Sequence, residues 1–340
     1  MNYQRTIRGL PIGFILLAVA ASCTPFGSTQ SGRVAGRGTA DWAPSSTDGQ
    51  PMRTEFAMVY DAAHEQIVAF GGRDDEWDPL DETWVYDCKT HTWANAQPAA
   101  SPPYRGTHAM VYDPVRETVL MFGGDDFTRA FNDLWEYDSA LNTWTELSPD
   151  NPPDARQMHG MVYDSDRDVV VMYGGRRTGG GASFDGTWEY SRSTNAWRSV
   201  GSEHRPPSQD HVKMAYDPVS KRTILFIGAS GRSLAGVGTW AYENGDWTKL
   251  ETGASPTASH GSLVYDRKIG MLVLIGTDEG SGDMDTWTFD GATDEWTVLS
   301  PSGSPASREH GGMAYDELND SFLVAAGFPR NDNWTMKIEK

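Results

Sequence analysis

Met58-Val59-Tyr60-Asp61 returns five more times along the chain, as Met110-Val111-Tyr112-Asp113, Met161-Val162-Tyr163-Asp164, Met214-Ala215-Tyr216-Asp217, Leu263-Val264-Tyr265-Asp266 and Met313-Ala314-Tyr315-Asp316. Successive tyrosines are 52, 51, 53, 49 and 50 residues apart. A period near 50 residues built from short apolar segments predicts a β-propeller. Each unit is a small sheet that cannot bury its own faces and must stack on its neighbours.

The rest of each unit repeats as well. About ten residues after the Tyr-Asp comes an apolar run ending in glycine, such as Val119-Leu120-Met121-Phe122 before Gly123-Gly124. Two spaced tryptophans follow, as in Trp84/Trp93, Trp135/Trp144, Trp188/Trp197, Trp240/Trp247 and Trp287/Trp296. The sixth unit has only Trp334, and its missing partner is Trp42 near the other end. The pattern predicts four antiparallel strands per blade, labelled a to d outward from the axis. Strand a carries Met-Val-Tyr-Asp, and strand b, apolar without alternation, is covered on both faces. Strands c (Leu134–Tyr137) and d (Thr143–Glu146) alternate, as half-exposed outer strands do. Asp41-Trp42-Ala43 is then strand d of the last blade, so the ring closes by joining the two ends of the chain in one sheet. Trp188 is expected to be a core indole, and Trp77 to sit in a peripheral loop.

Gly123-Gly124, Tyr137 and Trp144 carry a further likeness: the chain resembles a kelch-repeat propeller over roughly Asp41 to Lys340. The resemblance implies an all-β fold of six four-stranded blades. Units four to six keep one glycine each (Gly228, Gly276, Gly327), and unit six has Met336 where the others place an aromatic residue.

Residues 1–22 read as an export leader, with Arg5 and Arg8 ahead of an apolar stretch too short to span a bilayer. The sequence Ala20-Ala21-Ser22-Cys23 resembles a bacterial lipobox, which implies a lipid on Cys23, a flexible tether over residues 23–40 and attachment to the outer membrane. Membrane contact would then be through that lipid only. Cys88 is left without a thiol partner and reads as structurally incidental. Net charge is −19, and becomes −21 once Arg5 and Arg8 leave with the leader. Such an acidic chain argues against a nucleic-acid partner.

No catalytic signature stands out, and neither a cofactor nor a resident metal is expected. Asp164-Ser165-Asp166-Arg167-Asp168 mimics the start of a calcium loop but has Val169 and Gly175 at the positions that need glycine and glutamate. Asp278, Glu279, Asp283 and Asp285 read as a solvated acidic loop with at most weak calcium affinity. The most suggestive constellation lies just before strand a, where basic residues recur: Arg53, Arg105 and His108, Arg156 and His159, His211, His260, Arg308 and His310. The loops after strand b, which carry Arg73 and Arg176, should open on the same mouth of the ring. Two readings are open for these residues. They form a cationic ring for an anionic ligand, or they are kelch scaffolding that holds loops by hydrogen bonds.

Three function classes follow. The first is a non-enzymatic, monomeric module that binds a glycan, sugar acid or protein ligand at the channel mouth. The second, on fold analogy, is a carbohydrate-modifying enzyme similar to the six-bladed bacterial N-acetylneuraminate epimerases. The third is a purely architectural envelope protein. Galactose oxidase shares the kelch fold, but its cysteine-linked copper chemistry finds no support in Cys88.

Overall fold

The computed structural model describes residues 39–46, 53–179, 181–228, 237–256, 258–278, 284–299 and 301–339. The proposed leader, Cys23 and the tether lie outside the described residues. Among the described residues, 24 strands form six four-stranded antiparallel sheets, one per repeat. In blade two the strands are Ala109–Asp113, Thr118–Phe122, Leu134–Asp138 and Thr143–Leu147. Strand b is buried at every residue, and strand d alternates about its buried Trp144, as the hydrophobic pattern predicts.

Closure is as expected. Thr39–Ser45 pairs antiparallel with Asn333–Glu339, with Trp42 opposite Met336, so the first strand of the chain is strand d of blade six. Trp42 packs with Val273, Ile275 and Met284 of blade five, the place a strand-d indole takes throughout. Deleting Thr39–Ser45 should leave blade six three-stranded and cost cooperative stability. A deletion protein that melts as high and as sharply as the full chain would refute this closure.

The recurring aspartate of strand a has a structural cause. Asp61, Asp113, Asp164, Asp217, Asp266 and Asp316 are all buried. Asp113 Oδ1 accepts the backbone N–H groups of Val115 and Arg116, and Asp266 Oδ1 those of Lys268 and Ile269. Each carboxylate thus folds its own a–b turn as an Asx-turn. Asp164 does the same for Asp166 and Arg167, which accounts for the calcium-loop mimic.

The tryptophans divide differently from expectation. Strand-c indoles such as Trp188 are half-buried, whereas the strand-d set Trp93, Trp144, Trp197, Trp247 and Trp296 is buried. Each of the last four lies against an aromatic residue at or next to the end of strand b of the preceding blade, with centroid separations of 5.0–5.5 Å. The glue between blades is therefore the outer indole. Cys88 is buried against Ile67, Tyr86 and Trp93, and burial pushes its thiol pKa up.

Candidate functional site at the channel mouth

The segment before strand a and the segment after strand b meet at one end of the ring. Bridges join Thr54 to Arg73, Gly106 to Asp125, Gln157 to Arg176 and Glu309 to Phe328. The mouth expected from sequence therefore exists, and the residues assigned to it fall into three groups.

The arginines belong to the wall. Arg53, Arg105, Arg156 and Arg308 are buried, and each Nη1 donates to the carbonyl eighteen residues on: Gly71, Gly123, Gly174 and Ala326. Three also meet the acidic residue that precedes a strand-c tryptophan by two positions: Arg53 with Glu82, Arg105 bidentate with Asp133 at 2.6 and 2.7 Å, and Arg308 with Asp332. Blade three has Gly186 at that position, and Arg156 instead stacks on Phe184 at 4.3 Å. Burial lowers the Arg53 and Arg156 pKa values to about 10. The backbone of the next arginine continues the stitch, since Gly72 N–H donates to Arg105 O and Gly124 N–H to Arg156 O. A Cβ on Gly124, at φ +91°, would lie 2.6 Å from Gly106 O, so the second glycine is required by close approach. Blade six replaces the first glycine with Ala326, which still takes the left-handed conformation at φ 49°. This geometry is that of the scaffolding reading. Arg105→Ala should lower stability by about 1–3 kcal/mol through the stranded Asp133 carboxylate and Gly123 carbonyl. Equilibrium denaturation checks this, and an unchanged midpoint would refute it.

The histidines split by one residue of register. His108 and His159 stand four positions before the strand-a tyrosine and are buried, edge-on to Phe70 and Phe122 at 5.6 Å. Among the described residues, neither ring nitrogen of either histidine has a hydrogen-bond partner. Burial, with lesser contributions from Arg105 and Arg156, holds their pKa values far below the ordinary histidine range, to about 3 for His159. They are neutral wall residues in the place that Phe56 fills in blade one.

His211 and His310 stand five positions before the tyrosine, where blades one to three carry Glu55, Thr107 and Met158. All five residues have positive φ, between 52° and 57°. Main-chain bonds tie this level together around the axis: Glu55 N–H donates to His310 O, Thr107 N–H to Glu55 O, Met158 N–H to Thr107 O and Val212 N–H to Met158 O. His260 has the same repeat position in blade five, inside strand Ala258–Asp266, and its side chain lies outside the described set. The His211 and His310 rings are 5.4 Å apart. Asp210 Oδ1 lies 3.1 Å from His211 Nδ1, and Arg176 pairs with Asp210 at 3.4 Å. Across the mouth, fully buried Arg73 bonds Glu55 and Asp125, with Phe127 stacked over its guanidinium at 3.5 Å.

Inside this level is a cavity of about 180 Å³, lined by Glu55, Thr107, Met158, His211, Lys213, Arg308 and His310 among others. Arg308 is the one member of the four-arginine set that reaches it. Lys213 is a site residue that sequence reasoning missed. It pairs with Phe226 at the end of strand b. The other blades place Ala57, Ala109, Gly160, Ser262 and Gly312 at that register. A Cβ built on Gly160 or Gly312 would touch the next blade's residues Val212 and Met214, or Phe56 and Met58. The residue corresponding to Val212 and Phe56 in the blade that follows Lys213 is Gly261, which brings no side chain against it. Lys213 is buried and borders the channel below the mouth as well.

The family model described as the KLHDC2/KLHL20/DRC7 Kelch-repeats domain matches residues 37–228. With six blades of the expected build, the chain belongs to the kelch-repeat family. It is 26% identical over 291 residues to Adagio-like protein 3 of Oryza sativa subsp. japonica, covering 78% of this chain and 45% of that one. It is 23% identical over 321 residues to Mei4-dependent protein 6 of Schizosaccharomyces pombe, covering 82% and 45%. It is also 30% identical over 232 residues to N-(sulfonatooxy)prop-2-enimidothioate sulfolyase of Thlaspi arvense, covering 62% and 66%. The chain thus spans about half the length of the first two relatives.

Proposed function

We propose that the chain is a non-enzymatic binding module whose ligand, a sugar acid, anionic glycan or acidic protein segment, places its negative group in the channel mouth beside Lys213. The observation that carries this reading is the lone lysine at a register where every other blade has alanine, glycine or serine. An ammonium in a confined, partly desolvated cavity gives a charge-assisted hydrogen bond to a carboxylate. The other recurring basic residues supply less, because Arg53, Arg105 and Arg156 are spent on the wall. A catalytic reading has one observation in its favour, the relative named as a sulfolyase. The export leader, lipidated Cys23 and outer-membrane attachment belong to the same proposal, and labelled fatty-acid incorporation that persists in Cys23→Ala would refute the anchor.

Thermal shift against a panel of uronic and sialic acids and acidic peptides tests the site, because a ligand that binds only the folded state raises the melting point. Lys213→Met should weaken the best ligand about ten- to hundredfold, the value of a charged hydrogen bond, with the unliganded melting point nearly unchanged. A ligand whose affinity survives Lys213→Met would remove the mouth from consideration.

A further inference from the structure

We propose that His211 and His310 form a binding site for a divalent transition metal ion, Zn²⁺ or a close relative, across the channel mouth. Imidazole nitrogen is a preferred ligand for such ions, with metal–nitrogen distances of about 2.0–2.1 Å. Two imidazoles on one tetrahedral ion put their ring centres roughly 5 Å apart at that bond length. The observed separation is 5.4 Å, with the planes tilted by 47°.

Three further features fit. Asp210 sits at Nδ1 of His211, the carboxylate–imidazole pairing that leaves Nε2 as the ligating nitrogen and orients the ring. Both histidines have left-handed backbone, and His310 O accepts Glu55 N–H at 2.9 Å. A third histidine, His260, has the same repeat position on the blade between them, whereas blades one to three have none there. The backbone at this position does not itself call for histidine, since Glu55, Thr107 and Met158 take the same left-handed conformation in blades one to three. The chemistry is ligation only, and it stands apart from the anionic-ligand reading because metal uptake is measured with no organic ligand present.

Untagged protein stripped with chelator is titrated with Zn²⁺ by calorimetry and with Co²⁺ by visible absorption. One equivalent should bind, with a Co²⁺ spectrum of nitrogen-rich coordination. Asparagine tolerates positive φ, so His211→Asn with His310→Asn keeps the backbone and should abolish uptake. Asp210→Asn should weaken it at least tenfold, as loss of an outer-sphere partner does. Lys213→Met should retain the metal, which separates this site from the anion reading. No uptake by the wild type, or uptake undiminished in the double asparagine variant (as from the exposed Asp74, Asp75 and Glu76 cluster), would overturn the proposal.

Discussion

Trp247→Ala is expected to lower the unfolding free energy by about 3–5 kcal/mol, the range for deleting a fully buried indole. Trp247 is 0% exposed. Its ring stands 5.3 Å from Tyr173 of blade three and 5.1 Å from Tyr242 of its own blade. Nε1–H donates to Thr187 Oγ1 at 2.8 Å, again in blade three. The change therefore opens a cavity between two blades and strands a buried hydroxyl at once. Neighbouring blades depend on such contacts for burial, so the transition should also broaden as blades three and four lose cooperativity. Trp188→Ala removes a half-buried strand-c indole and should cost distinctly less. Urea denaturation of both variants checks the order, and equal losses would show that the strand-d position has no special role.

Acid should destabilise the protein through His108 and His159, and substitution by phenylalanine should remove that part of the pH dependence. Both are buried with depressed pKa values, so the folded state does not take up the protons that the unfolded chain binds near pH 6.5. Their contribution to stability is therefore fully present above that pH. It is lost as pH falls toward the folded value of about 3 for His159. Each histidine contributes a slope of about 1.4 kcal/mol per pH unit, so the pair costs roughly 4 kcal/mol by pH 5. Blade one already carries Phe56 at the equivalent position, which makes His108→Phe with His159→Phe compatible with the wall. Denaturation midpoints from pH 8 to pH 5 should converge less steeply in the double variant. Identical slopes would mean that the buried rings protonate in place.

The blade architecture was legible because its signals are redundant. Asp113 fixes a turn, Val119–Phe122 is apolar throughout, and Trp144 fills a gap, and each statement is repeated in other units. The site was legible only in outline. Arg105 and His108 share a motif with Arg308 and His310, yet the histidines differ by one position of register, and His310 falls on the left-handed residue that Thr107 occupies in blade two. His108 thus enters the wall while His310 reaches the mouth. Lys213 was hidden by standing directly before the repeated motif, at a position the motif does not specify. Only its comparison with Ala57, Ala109, Gly160, Ser262 and Gly312 at one register exposes it as the exception. The burial of Trp188 relative to Trp197 was not legible, since both alternate with polar neighbours and only the blade-to-blade packing distinguishes them.

The main-chain bonds that link His310, Glu55, Thr107 and Met158 have a consequence for how a ligand would be oriented. Because backbone atoms alone make these bonds, the ring keeps its shape whatever side chains it bears. The mouth then resembles a compass dial whose points are assigned independently. Carboxylate, hydroxyl and thioether occupy one half, and imidazoles face them from blades four and six. A molecule entering along the axis would meet a different chemistry at each bearing, so its rotation about that axis would be selected as strictly as its charge.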